Sequence, residues 1–457
     1  MRTTMINKIW KKWFSKNDAA GNAQPIVLER GDHCVSRKDI STNALKVLNR
    51  LHRANFEAFL VGGGVRDILL GLHPKDFDIA TSATPEEIKK LFRNCRLIGR
   101  RFRLAHILFG REVIEVATFR ANHSAPSDEG KQHASGMLLR DNVYGSLEDD
   151  AIRRDFTVNA LYYSSDDFTV RDFTGGLADL KKRQLRLIGD PLTRYKEDPV
   201  RMLRAVRLAT KLGLTIESQT AKPISKHASL MSHVSAARLW DESHKLLLAG
   251  HAKDTFAQLM NYQLLPYLLP ATDKALKQST DDQLLTFINA ALDSTDQRTR
   301  QDKPVTPAFL YAVFLWQPLL DRQQELQQQG MSYNDAMHKA MGQVITEQAQ
   351  YISIPKRFAL VMRDIWSMQS RLENRNHKSF KLLEHPKFRA AYDFLVLRAN
   401  ADEQLNPVAS WWTRFQEASG EGQRSMTEAL KSKKPFRKRR NNRRRPSAKN
   451  RPQNKPT

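Results

Sequence analysis

Apolar residues recur at helical spacing at Ala44, Leu45, Val47, Leu48 and Leu51, directly after a Ser41-Thr42 pair suited to capping a helix. Folded structure is expected to begin near there, behind a mobile leader over 1–36 in which Gly, Asn, Asp and Pro break any periodicity. A strand over 57–61 follows. Its run Phe59-Leu60-Val61 leads into three glycines, Gly62, Gly63 and Gly64, and then a short apolar helix over 65–70. After the turn Gly71-Leu72-His73-Pro74 comes Lys75-Asp76-Phe77-Asp78-Ile79, which reads as a second strand. Thr84-Pro85-Glu86-Glu87 marks a helix start: a capping Thr, Pro at the first position and Glu three residues after the cap. Strand-like segments over 96–99, 104–109 and 112–119 complete a mostly antiparallel sheet backed by helices.

The polar stretch 122–137 reads as a flexible loop, and its His123 and His133 lack the Cys/His spacing of a metal site. Residues 146–187 alternate helix, strand and helix. Beyond Asp198 the pattern is helical almost to residue 420, with Met202, Met231 and Met260 as core. The fold class is therefore α+β, with a mixed head followed by an all-α region.

Composition changes the picture at the level of partners. Lys plus Arg number 74 against 49 Asp plus Glu, a net charge of +25 over 457 residues. That balance points to a polyanion, nucleic acid first and an anionic membrane surface second. Two cysteines, Cys34 and Cys95, are too few for a disulfide framework or a zinc site, so a cytoplasmic setting is expected. No apolar run is long enough to span a bilayer, and the basic N-terminus lacks the apolar stretch of a secretory signal. Ile9, Trp10, Trp13 and Phe14 could line one side of an amphipathic helix touching a membrane, although a frayed basic leader is the preferred reading. Residues 431–457 hold thirteen Lys or Arg and no acid, so a disordered arm that holds RNA is expected. Its cations include Arg437, Lys438, Arg439, Arg440, Arg443, Arg444 and Arg445, and Phe436 is its one aromatic residue.

Asp76 and Asp78 project side by side if both lie on one strand, and two such carboxylates repel unless a cation sits between them. Mg²⁺ suits that place, with Mn²⁺ as a substitute, because it takes oxygen ligands and keeps substrate phosphates among them. Gly62 and Gly63 let backbone N–H groups approach a triphosphate. No Gly-Lys-Ser/Thr closes the loop, so it is not a Walker P-loop. The stretch describes metal-dependent nucleotidyl transfer. A third carboxylate is usually wanted, and Glu115 and Asp155 are the two candidates. Arg66 could reach phosphate, or Asp67 could tie it in place. In Glu197-Asp198-Pro199-Val200-Arg201-Met202-Leu203-Arg204, Asp198 is expected as a helix cap with Pro199 in first position. Asp198, Arg201 and Arg204 then share one face, either as a salt-bridge ladder or as a reader of adenine N6 and N1. Arg100, Arg101 and Arg103 supply a basic edge for RNA or triphosphate.

GGGVRDILLG followed by DFDIAT resembles the signature of the class II nucleotidyltransferases of the DNA polymerase β superfamily, which holds bacterial poly(A) polymerases and tRNA CCA-adding enzymes. The resemblance continues through Arg153-Arg154-Asp155-Phe156-Thr157-Val158-Asn159-Ala160 and Glu197-Asp198-Pro199-Val200-Arg201, and covers roughly residues 37 to 250. It implies a polymerase-β-like head, with Arg154 and Asp155 at the active site. It also implies base reading by Asp198 and Arg201, with Glu197 positioning them and Arg204 beside them. DFTGGLAD, residues 172–179, resembles the family's flexible loop, with Gly175 and Gly176 as hinges. The segment 97–106 looks like the one that marks the poly(A) polymerases within the group.

The organisation expected is a leader over 1–36, a nucleotidyltransferase domain over 37–190 and a base-recognising helical neck over 191–250. A helical RNA-binding body over 251–425 and a basic tail over 426–457 follow. The activity expected is addition of AMP from ATP to RNA 3′ ends by a monomer, with RNA-degradation machinery as a further partner. CCA addition to tRNA and non-catalytic RNA binding are the alternatives.

Overall fold

Why the chain begins to fold where it does is visible at its first helix. In a computed structural model that describes residues 25–99, 103–121, 143–376 and 379–432, Ser41 Oγ accepts the Ala44 N–H at 3.0 Å and opens α1 (Thr42–Arg53). Ala44, Val47, Leu48 and Leu51 form its buried face, against β2 (Ala58–Val61), β3 (Asp78–Thr81) and β6 (Glu112–Thr118). Order begins earlier than the hydrophobic pattern implies, however. The apolar triplet β1 (Ile26–Leu28) pairs antiparallel with β8 (Val170–Asp172) inside the stretch expected to be a leader. Trp10, Trp13 and the rest of that leader's start lie outside the described residues, as do the 122–137 loop with His123 and His133, and residues 433–457 of the tail. Residues 426–432, expected to be disordered as part of that tail, instead belong to a helix, Gly420–Ser432, whose Met426 and Leu430 pack on the core beneath it.

Eight strands form one sheet in the order β1-β8-β7-β2-β3-β6-β5-β4, with β4 Cys95–Ile98, β5 Leu104–Phe109 and β7 Leu161–Tyr163. Every neighbouring pair is antiparallel except β3 with β6. α2 (Gly63–Leu69) connects β2 to β3, and α3 (Pro85–Leu91) follows β3 with the expected capping box, Thr84 and Glu87 bonding reciprocally. Such a box is worth about 1 kcal/mol. On one sheet face Phe59, Val61, Ala80, Phe119 and Tyr162 pack with Leu147 and Ala151 of α4 (Leu147–Arg153). Register places Asp78 and Glu115 on that same face, at its polar end.

Two differences from the sequence reading bear on the site. β3 starts at Asp78, so Asp76 lies just before the strand rather than on it. The stretch 172–179 is pinned. Asp172 accepts the backbone N–H groups of Thr174, Gly175, Gly176 and Leu177 at 2.9–3.1 Å. A Cβ on Gly176 would fall 2.2 Å from the Thr157 carbonyl oxygen, so the close packing against that carbonyl requires a glycine here.

α5 (Gly176–Lys181) leads through β9 (Gln184–Leu185) to α6 (Pro191–Glu197) and α7 (Val200–Leu212). β10 (Thr215–Ile216) runs parallel to β9, and helices α8 (Ser218–Lys226) and α9 (Ala236–Leu247) follow. The same compact unit continues as helices to Leu360, with Phe256 and Phe314 stacked 5.6 Å apart in its core. A second unit starts at Val361, a division the sequence pattern does not signal. Its core gathers Leu372, Phe388, Leu395, Trp411, Trp412 and Phe415, and the Trp412 indole N–H donates to the Leu372 carbonyl at 2.8 Å.

Candidate active site

Gly62 caps α2 with φ +74° and ψ −135°, a conformation for which side chains other than glycine are strained. A Cβ placed there would sit 3.7 Å from Arg154 Nη1 and 3.8 Å from Asp78 Oδ2. The glycine turn, the strand carboxylate and the arginine therefore meet at one point.

Asp78 is paired in register with Glu115 across the parallel β3–β6 junction. Asp78 keeps contact with solvent, yet the surrounding cleft and the Glu115 and Asp76 carboxylates push its pKa up to about 6 against the pull of Arg154 and Arg204. Next in the row comes His106 of β5, the register partner of Glu115, with Nε2 3.2 Å from Glu115 Oε1. The donor set Asp76, Asp78 and Glu115 is all hard oxygen, as a divalent cation such as Mg²⁺ requires. Among the described residues, no three His, Cys, Asp or Glu side chains converge into a ready-made cage.

Arg154 follows α4 and is held from behind. Its Nε donates to Tyr162 Oη at 2.8 Å and to Asp150 Oδ2 at 3.1 Å, and Nη2 donates to the same Asp150 oxygen at 2.9 Å. Tyr162 Oη donates to Asp150 at 2.7 Å, which closes a triangle. Asp150 sits four residues before Arg154, one turn back on the same helix, so this partner was within reach of a spacing argument; Tyr162 was not.

Arg66 turns inward. It is 4% exposed, with Nε and Nη2 on Asp67 Oδ1 at 2.8 and 2.6 Å, and Nη1 on Asn159 Oδ1 at 2.5 Å. Of the two roles open to it, being tied by Asp67 is the one the structure displays. Asp155 likewise looks inward. It accepts from Asn159 Nδ2 at 3.1 Å, from the Phe156 N–H at 2.8 Å, and from Arg204 through Nε at 2.7 Å and through Nη2. Burial would raise its pKa, but Arg204 and these hydrogen bonds hold it down to about 2. The carboxylate beside Asp78 is thus Glu115, while Asp155 anchors α7 to the head.

The neck motif keeps its expected cap but not its expected ladder. Asp198 ends α6 in an extended conformation and caps α7, its Oδ1 accepting the Val200 N–H at 3.3 Å, with Pro199 already helical behind it. The three residues three apart find three separate partners. Arg238 of α9 grips Asp198 with Nη1 and Nη2 at 2.8 and 2.7 Å, Arg201 Nη1 reaches Glu197 Oε2 at 2.8 Å, and Arg204 takes Asp155. Arg238 stands forty residues from Asp198, and nothing local in the sequence signals the pairing. Burial and the neighbouring arginines push Arg153 down to about 9, and burial with Arg201 pushes Arg194 down to about 10. Such crowding of cations favours a polyanion.

Arg103 pairs with Glu86 at 2.5 Å on the exposed edge before β5. Arg100, Arg101, and Arg437, Lys438, Arg439, Arg440, Arg443, Arg444 and Arg445 lie outside the described residues. Among the described residues no helix is long and apolar enough to cross a membrane.

Three family models match the chain: a poly A polymerase head domain over 58–186, a probable RNA and SrmB-binding site of polymerase A over 213–276, and a polymerase A arginine-rich C-terminus over 329–446. A poly(A) polymerase I of Escherichia coli is 50% identical over 439 residues, spanning 93% of this chain and 94% of the relative. A CCA-adding enzyme of Lactobacillus helveticus is 36% identical over 226 residues, 50% of this chain and 55% of the relative. In fold the chain is similar to a Bacillus stearothermophilus CCA-adding enzyme solved in complex with CTP. That match has a TM-score of 0.55 at 24% identity and covers 82% of each chain.

Proposed function

We propose that this chain, which belongs to the poly(A) polymerase family, adds AMP from ATP to RNA 3′ hydroxyls without a template and releases pyrophosphate. The observation that carries the site is the meeting of Asp78 and Arg154 at the Gly62 turn, with Glu115 in register behind Asp78. Backbone N–H groups of Gly62 and Gly63 and the guanidinium of Arg154 receive the triphosphate and orient its α-phosphate. Asp76, Asp78 and Glu115 would hold a divalent cation, Mg²⁺ in this reading, which when bound neutralises phosphate charge and lowers the pKa of the attacking hydroxyl.

Base choice belongs to the neck. Asp198, fixed by Arg238, is the acceptor for the adenine N6 amino group, and Arg201, steadied by Glu197, presents a donor to N1. Arg204 acts through Asp155, tying this neck to the head. Arg66 supports the glycine turn from inside, since it is buried. Arg100, Arg101, Arg103 and the cationic tail hold RNA by its phosphates. In this reading residues 37–190 carry the chemistry, 191–250 the base recognition, and the helices beyond them RNA contact. A cytoplasmic monomer that hands tailed RNA to degradation machinery completes it.

Product sequencing after incubation of an RNA oligonucleotide with all four triphosphates tests the proposal. A homogeneous A tract is expected. A CCA addition that stops after three nucleotides would point to the activity named for the relative that matches half of the chain.

A further inference from the structure

Arg194 of α6 bridges two parts of the site that have different jobs. Its Nη2 donates to the carbonyl oxygens of Arg153 and Arg154, at 2.5 and 2.6 Å. Its Nη1 donates to Glu197 Oε2 at 2.8 Å. That same Glu197 oxygen takes Arg201 Nη1 at 2.8 Å, and Arg201 Nη1 also donates to the Arg194 carbonyl at 2.7 Å. Arg194, Glu197 and Arg201 therefore form a closed ring at the end of α6, and the ring grips the backbone from which the Arg154 side chain departs.

Arg154 needs such a grip. It follows the last residue of α4 in an extended conformation, φ −61° and ψ 168°, so helical hydrogen bonding no longer fixes its carbonyl. The Arg194 side chain is largely buried, and burial together with the Arg201 charge works against its own charge, with Glu197 as the offsetting anion. A ring balanced this way responds when Arg201 shifts, because Arg201 and Arg194 share one carboxylate oxygen.

We propose that Arg194 is a positioning residue that transmits the fit of the base at Asp198 and Arg201 to Arg154 at the triphosphate, so that base identity is expressed in turnover as well as in binding. The inference rests on the base-reading and phosphate-orienting roles given above. A correct base leaves the ring closed and Arg154 in place. A wrong one pulls Arg201 away, loosens Glu197, and frees the carbonyls of Arg153 and Arg154. Lysine cannot replace the arginine here, because one ammonium does not present the two ends of a guanidinium fork.

The test uses the full chain, with kcat and KM measured on an RNA oligonucleotide for ATP and CTP singly. For Arg194→Lys and Arg194→Gln, kcat with ATP is expected to fall about tenfold or more while KM moves less than about threefold and CTP turnover hardly changes. The ATP-to-CTP ratio then collapses by about tenfold. Equal losses with both nucleotides, or a loss confined to KM, would overturn the proposal and leave Arg194 a simple brace. If neither variant folds, Glu197→Gln opens the ring from its other side and should lower the same ratio; an unchanged ratio overturns the proposal. A wild-type chain that transfers no nucleotide, or prefers CTP, would instead sink the reading of the site itself.

Discussion

Asp78 and Glu115 are register partners on the two parallel neighbours β3 and β6, so their carboxylates project from adjacent strands on the same sheet face. Strands lie about 4.8 Å apart, and like charges directly opposite destabilise a sheet. The pKa of Asp78, raised to about 6, records burial first and that repulsion second.

The cost gives a pH prediction. A carboxyl group whose pKa is higher in the folded state binds protons more tightly there, so its contribution to stability declines as pH rises from about 4 through about 6. In metal-free buffer, Asp78→Asn should therefore melt higher than wild type at pH 8, and the gap should shrink towards pH 4. The same variant should lose nucleotide addition by a factor on the order of 10² to 10³. Thermal melts with a chelator, set beside a primer-extension assay, check both halves.

Asp155 makes the opposite prediction. Its pKa of about 2 means that its stabilisation is fully present above its ordinary value near 4 and is lost as pH falls through about 2. The shift corresponds to about 2 kcal/mol, and since Arg204 is itself partly exposed, removing one partner of the pair costs about that much. Asp155→Ala should lower the melting temperature of the first unit by several degrees at pH 7. Arg204→Ala, which strands the carboxylate, should do at least as much. Calorimetry of the two variants and the double variant should show strong non-additivity.

Arg238 fixes Asp198 through both of its oxygens, so Arg238→Lys should loosen the carboxylate without removing the positive charge. The expected result is a rise in KM for ATP of about tenfold from weakened base binding, accompanied by a fall in kcat as the poorer fit reaches Arg154. Steady-state kinetics with ATP decide it. An unchanged KM would separate Asp198 from base recognition.

Gly62 and Gly63 should respond differently to alanine. At Gly62 the positive φ, not lack of room, is the obstacle, since the new Cβ would make ordinary contacts at 3.7 and 3.8 Å. A cost of about 1–3 kcal/mol and a displaced turn follow. At Gly63 the backbone is helical and the Cβ meets only the end of the Arg66 side chain at 3.3 Å, so Gly63→Ala should be milder. Melting temperature and turnover of the two variants should rank accordingly.

The parts of the site that could be read from sequence are those set by local chemistry. The glycine turn, the capping box at Thr84 and the carboxylates of Asp78 and Glu115 all follow from short-range patterns of polarity and turn residues. The strand boundary at Asp78 did not follow, because alternation extends the pattern back to Lys75 while the β2 ladder reaches only Val61 opposite Asp78. The pairings of Arg238 with Asp198, Arg204 with Asp155 and Arg154 with Tyr162 were equally hidden, since each depends on where helices and strands meet in space. Spacing along α7 suggested a ladder of Asp198, Arg201 and Arg204, but Asp198 pairs with Arg238 and Arg204 with Asp155 across the fold, while only Arg201 keeps a local partner, Glu197. The pinned turn at Asp172 shows the reverse case. Paired glycines suggest freedom, whereas in the structure a buried carboxylate bonds four N–H groups of this turn, a local pattern that composition alone does not signal.

The most direct measurement is extension of an unstructured RNA oligonucleotide with Mg²⁺ and each triphosphate supplied alone, for the wild-type chain and for Asp78→Asn. The account predicts long ladders with ATP only, abolished by the substitution while RNA binding persists. Ladders that survive Asp78→Asn, or RNA binding without extension by any triphosphate in the wild-type chain, would contradict it.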